Sequence, residues 1–217
     1  MGIIDVATMN KIRNEAIRNN PSALIYGEGW DMPTMLQGSQ KANIHNQGAM
    51  PHIGHFNDYF RDVIKGKTSE SEKYERGYAT GKWENAFASL AGLTANVLDT
   101  PHYKRFFSPD QSINGFETHD NSTVWDKMHA CCNNEDRATR IRRQKMMIAI
   151  TMISQGVPFV HAGFEFCDTK KDNHNSYNAP DEINRMDWER MEYYQEVVKY
   201  FRKATALRRS VSEFCLK

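Results

Sequence analysis

Short apolar stretches alternate with helical ones along this chain, and several of them break off abruptly into polar residues. Ala23-Leu24-Ile25-Tyr26-Gly27 ends in Glu28-Gly29-Trp30, and Ile113-Asn114-Gly115-Phe116-Glu117-Thr118 ends in His119-Asp120-Asn121. Met50-Pro51-His52-Ile53-Gly54-His55-Phe56 holds another short strand, and Val157-Pro158-Phe159-Val160-His161 a compact one that opens into Ala162-Gly163. Segments of helical period separate them. Such a succession of strands and helices specifies a parallel α/β sheet, open or closed into a barrel.

The helical segments carry their own punctuation. Residues 5–19 place Val6, Met9, Ile12 and Ala16 on one face with Ile17 beside them, Asp5 as N-cap and Asn19-Asn20-Pro21 as the stop. Residues 31–50 read as a loop, and 57–64 as a capped helical turn closed by Lys65-Gly66. Residues 67–80 are polar and read as a surface loop, and 83–93 as a helix with Phe87, Leu90 and Ala91 inward. A polar segment with Trp125 and a cysteine pair follows the strand at 113–118. Residues 135–153 form the strongest helix, apolar nearly all round in its second half, as for a buried helix. A last helix is expected over about 189–208.

In a β/α barrel the chemistry sits at the C-terminal ends of the strands. Glu28 and Asp120 both stand there, and two carboxylates on a shared substrate suggest acid–base work. Read from the residues alone they make an acid and a nucleophile; the plain alternative is a pair of caps and turn residues. His52 and His55 are three apart but lack a third ligand at useful spacing, so no metal site is expected. The chain has 28 basic and 27 acidic residues, a net charge of +1. That balance offers no electrostatic case for nucleic acid or an anionic membrane. Aromatic residues make up 11%, enough for a core and for stacking platforms under sugars. Cys131, Cys132, Cys167 and Cys215 follow no metal spacing and read as free thiols, which leans towards the cytoplasm over secretion. The opening residues carry no leader pattern, and the longest apolar run, Met146–Ile153, is too short to span a bilayer.

The ordered set of motifs resembles the catalytic domain of glycoside hydrolase family thirteen, the α-amylase superfamily, and most of all its type I pullulanase branch. Tyr26-Gly27-Glu28-Gly29-Trp30 is similar to the strand-five motif, and Phe56-Asn57-Asp58-Tyr59-Phe60-Arg61-Asp62 to the segment after strand six. Glu117-Thr118-His119-Asp120-Asn121 with Trp125-Asp126-Lys127 resembles strand seven, and Ser154–Gly163 strand eight. Asn175-Ser176-Tyr177, Pro180-Asp181-Glu182-Ile183-Asn184 and Asp187-Trp188 are the most pullulanase-like. The resemblance covers essentially the whole chain.

The resemblance implies an α/β fold that is part of a (β/α)8 TIM barrel. Residues 1–217 would be its C-terminal half, approximately strands five to eight with their helices. It implies a retaining mechanism on α-1,6-glucosidic branch linkages of pullulan, starch or glycogen. Glu28 becomes the acid/base, and Asp120 the stabiliser of the transition state rather than the nucleophile. The nucleophile belongs to a strand-four Arg-Phe-Asp type motif that this sequence does not hold. The chain alone is therefore expected to be inactive. His119, Trp30, Asn57, Asp58, Arg61, Asn121, Asn175, Tyr177 and Asp181 are the expected substrate-binding residues. No cofactor is required, with room left for calcium. The expected partner is an α-glucan, with no nucleic acid or membrane, and with self-association through open sheet edges. Another α-glucan hydrolase (an amylase, neopullulanase or isoamylase-like enzyme) and a non-catalytic glucan-binding fragment are the alternatives. Three departures from the family pattern, Gly29, Phe116 and Phe164, put subsite chemistry in question.

Overall fold

The computed structural model describes residues 1–215. Helix α1 (Val6–Asn19) starts at Asp5, whose carboxylate accepts from the Thr8 amide. Strand β1 (Ile25–Gly27) follows, then β2 (Ile53–Phe56), α2 (Asp58–Lys65), α3 (Ala86–Leu93) and β3 (Ser112–Asn114). Helices α4 (Val124–Cys131) and α5 (Arg137–Ile153), strand β4 (Val157–Pro158), and helices α6 (Asp181–Asn184), α7 (Trp188–Tyr193) and α8 (Gln195–Ser210) complete the order. No helix among the described residues is long and apolar enough to cross a membrane.

The four strands are parallel and lie side by side in chain order, with Gly27 opposite His55, Phe56 opposite Ile113 and Asn114 opposite Pro158. Neighbours in chain order, with no reversal, are the arrangement of a barrel wall; a doubly wound sheet reverses at a switch point. Ile25 and Ile53 face α1, packing with Met9, Val6 and Met50. On the opposite face, Tyr26, Phe56 and Phe159 meet edge to face, with centroids 5.1–6.3 Å apart.

The larger core lies under α2, α4, α5 and α8 and contains Phe60, Phe116, Trp125, Ile148, Phe164 and Val197. Its α5 face repeats regularly through Ile141, Gln144, Met147, Ile148, Thr151 and Met152. This helix is thus buried along one face, with Ile153 exposed, rather than on all sides as its apolar second half suggested. Arg208 of α8 closes the end of α5. Its guanidinium donates to the Met152, Ser154 and Gly156 carbonyls at 2.7–2.8 Å, satisfying acceptors that a helix end leaves open.

Several expectations change. Phe87 and Leu90 do not point inward; they are 64% and 57% exposed. Ser89 and Gly92 are the buried positions of α3. A Cβ on Gly92 would sit 3.2 Å from the Phe60 ring, so close approach of α3 to α2 selects the small residues, not the large apolar ones. Ile12 likewise faces solvent. The segment after β3 is not merely polar: it forms α4, capped by Thr123, with Asp126 and Lys127 both buried. The last helix is two, broken at Tyr194.

Substituting Phe87 or Leu90 by Ser should leave urea unfolding within about 0.5 kcal/mol of wild type. Ile148→Ala, in the true core, should cost about 2–5 kcal/mol in the same measurement.

Candidate active site

Glu28 leaves the sheet at the end of β1, and Thr118-His119-Asp120 leaves beyond β3, two strands away. Parallel pairing brings both ends to one rim. His119 stands between the two carboxylates, its Nε2 lying 3.7 Å from Glu28 Oε1 and 3.4 Å from Asp120 Oδ2. One oxygen of each carboxylate and the imidazole nitrogen all lie within 4.8 Å of one another. Glu28 and Asp120 are therefore close enough to act on one bound group.

The groove is lined by Glu28, Trp30, Phe56, Asn57, Asp58, Arg61, Thr118, Asp120 and Asn121, together with Ile113 and Gly115. Asn121 adopts the left-handed backbone (φ 66°), which asparagine tolerates better than most residues. The turn before it is held by Thr118 Oγ1, which accepts from the Asp120 amide at 3.3 Å. Asp58 and Arg61 reach the groove from the first turn of α2, paired at 2.7 Å, and Arg61 also holds Asp62 at 2.7 Å. Burial pushes the Asp58 carboxyl up to about 6; Arg61 opposes the shift, while the negative charges of Asp62 and Glu28 reinforce it.

Asn57 borders the groove, as expected, but commits its side chain to the fold. Its amide donates to Asn96, Ser112 and Asn114 at 2.9–3.1 Å, and its carbonyl accepts from the Phe60 amide at 3.0 Å as the cap of α2. Its side-chain bonds are taken up inside the fold, so it holds the groove wall as well as bordering it. Asn175, Tyr177 and Asp181 lie in or just after the loop following β4, all exposed, Tyr177 by 77%, and none lines the groove. Trp125 is buried in the core against Tyr194.

The three departures have packing causes. A Cβ at position 29 would lie 2.6 Å from His55 Nδ1, so the buried imidazole demands glycine there. Phe116 stacks on Phe60 at 4.9 Å, and Phe164 packs on Phe116 at 6.4 Å. The last two changes thus fill one buried site together, and neither residue lines the groove.

His52 and His55 do not converge. His52 Nδ1 pairs with Asp110 at 2.6 Å, while His55 is buried. Glu28, His119 and Asp120 form a possible ligand trio, yet calcium wants six to eight oxygens, and two carboxylates with an imidazole do not make that shell. Thr118 and Phe56 in the groove were not singled out from sequence, nor was His161 after β4, whose pKa is lowered by burial, then by the charges of Lys170 and His119. Position at a strand's C-terminal end is the signal that would have found His161.

No family model matches the chain. It is 40% identical over all 217 residues to a pullulanase of Bacillus subtilis (strain 168), covering 30% of that protein. It is 26% identical over 210 residues to a pullulanase of Klebsiella pneumoniae, a match taking in 78% of the chain and 19% of that protein. Among solved structures, type I pullulanase from Bacillus subtilis str. 168 complexed with maltose matches with a TM-score of 0.95 at 40% identity. Pullulanase from Anoxybacillus sp. LM18-11 complexed with maltotriose matches with a TM-score of 0.93 at 41% identity. Both matches cover 100% of this chain and 30% of the other. The chain thus spans under a third of the length of these relatives.

Asp58 binds its proton more tightly folded than unfolded. Between about pH 4 and 6 the unfolded chain has lost that proton and the folded chain keeps it, so stability falls as pH rises through this window and levels above it. Asp58→Asn should remove that slope, gaining on the order of 1–3 kcal/mol relative to wild type between about pH 4 and 6 in chemical unfolding.

Proposed function

We propose that this chain forms part of the catalytic groove of a pullulanase-type α-glucan hydrolase, acting on α-1,6-glucosidic branch linkages with retention. The observation that carries the reading is the convergence of Glu28, His119 and Asp120 at the rim of a parallel sheet. Relatives that match the whole chain, two of them solved with maltose or maltotriose, support the choice of substrate class.

The chemistry assigns the roles. An acetal oxygen leaves poorly until it is protonated, so Glu28 gives its proton to the glycosidic oxygen and then takes one from the incoming water. Positive charge grows on the sugar ring, and the fixed anion of Asp120 stabilises it. His119, beside both carboxylates, donates to a sugar hydroxyl. Trp30 offers an exposed ring to a glucose face, and Asp58, Arg61 and Asn121 supply polar contacts. The nucleophile is an aspartate of the Arg-Phe-Asp type motif, contributed by chain outside residues 1–217.

A second reading has one observation in its favour: the short separation of Glu28 and Asp120 also fits an acid and its own nucleophile. Reducing-sugar release from pullulan separates the two. On the first reading the chain alone is silent. Mixed with the complementary barrel half of a relative it becomes active, and Glu28→Gln or Asp120→Asn lowers that activity by about 100-fold or more. Hydrolysis by the chain alone, lost in Asp120→Asn, would make Asp120 the nucleophile. A chain that binds maltotriose but supports no hydrolysis in either setting would be a glucan-binding fragment.

A further inference from the structure

Two ionisable side chains beneath the groove have no part in the chemistry above. Lys65, at the end of α2, is 1% exposed, and Glu117, just beyond β3, is 5% exposed. Charges buried this deeply are costly unless they are paired and hydrogen-bonded. Each of these is bound to a backbone group on either side of the turn that carries His119 and Asp120.

Lys65 Nζ donates to the Phe116 carbonyl. Glu117 Oε2 accepts from the Val124 amide at 2.5 Å, satisfying a donor that the first turn of α4 would otherwise leave open. Thr123 adds the ordinary cap, its Oγ1 accepting from the Asp126 amide at 3.1 Å. The loop from Phe116 to Val124 is therefore tied at both ends, by a cation at its start and by an anion across its neck. Phe116 cannot slide, because it is stacked on Phe60 of the same helix that carries Lys65. Lys65 is itself seated: its carbonyl accepts from Thr80 Oγ1 at 3.0 Å. Gly66 beyond it has φ 103°, where a Cβ would lie 2.3 Å from the Glu75 carbonyl. The helix also delivers Asp58 and Arg61 to the groove from its other end. One rigid element thus holds two walls of the groove in register.

The charges are coupled. Burial favours neutral Lys65 and neutral Glu117, and the charge of each counters the shift in the other. Among the described residues Glu117 Oε1 has no hydrogen-bond partner, and the Lys65 charge opposes the effect of its burial from beyond direct contact.

We propose that Lys65 and Glu117 are a buried positioning pair that sets the His119–Asp120 turn against Glu28. Its effect on glucan binding rests on the function proposed above; its effect on His119 does not. The test uses the 217-residue chain, with NMR of the His119 side chain and titration with maltotriose. Glu117→Gln keeps an oxygen for the Val124 amide and removes only the charge; Lys65→Met keeps length and removes the ammonium. Each should displace the His119 ring resonances and weaken maltotriose by about tenfold, and the double variant should be no worse than the poorer single, the signature of coupling. Singles that lower the melting temperature yet leave the His119 resonances unmoved and maltotriose affinity within about twofold, or a double variant that sums both losses, would overturn the pair as a positioning device. If wild type fails to bind maltotriose, the glucan reading falls and the His119 resonances alone decide. If Lys65→Met does not fold, the isosteric Glu117→Gln decides between the same two outcomes by itself.

Discussion

At the end of β2 the amide of Asn57 ties together four separate pieces of chain. It reaches Asn96 beyond α3, Ser112 and Asn114 of β3, and the first turn of α2. Asn114 passes the connection on to the Gln155 carbonyl ahead of β4 at 2.7 Å. Each such bond contributes only about 0.5–1.5 kcal/mol net, but leaving a buried partner unmade costs more than the bond is worth. The network therefore specifies one seating of α2 against β2 and β3. The groove depends on that seating, since Asp58 and Arg61 begin the same helix that Asn57 caps.

A second polar layer lies further along α2. Lys65, Glu117, Asp126, Lys127 and Asp168 are all buried; the bonds of the first four run mostly to backbone rather than to one another, while among the described residues the Asp168 carboxylate has no hydrogen-bond partner. Lys127 donates to the Lys67, Glu72 and Lys73 carbonyls, and Asp126 accepts from Lys170 in the loop after β4. Apolar residues of similar volume would often be as stable or more so. What these groups supply is definition of irregular loops. A loop has no ladder of its own, and its backbone groups need partners wherever water is excluded. Lys65 and Glu117 of this layer tie the two ends of the loop that carries His119 and Asp120.

Hydrophobic packing works around these polar ties and accounts for the places where the chain departs from the motif pattern it resembles. Phe116 and Phe164 are both larger or more apolar than the residues usual there, and they meet in one buried cluster with Phe60. Gly29 makes room for buried His55 at the base of the Glu28 loop. On the other side of the sheet Tyr26, Phe56 and Phe159 form an aromatic layer that remains partly open, with Tyr26 exposed. The edges of the sheet are β1 and β4.

The amino-acid sequence by itself determined what is local. Apolar runs ending in polar residues marked all four strands; Asp5 marked the start of α1 and the capped turn at 57–64 that of α2, because a cap is a bond between a residue and its own next turn. Order along the chain then implied a parallel sheet, and strand ends pointed to Glu28 and Asp120. Tertiary structure alone decided which faces turn inward and which ends meet. Phe87 and Leu90 face out because α3 approaches α2 through Ser89 and Gly92, a fit that depends on Phe60 more than twenty residues away. Helix α4 was hidden because Asp126 and Lys127 read as solvent-facing, and their burial is made affordable only by loop carbonyls and amides distant in sequence. Asn57 borders the groove and is a strut as well; Asn175, Tyr177 and Asp181, drawn from resemblance, lie outside the groove. Glu28 and Asp120 stand 92 positions apart in the chain, and only the parallel ladder brings them to either side of His119.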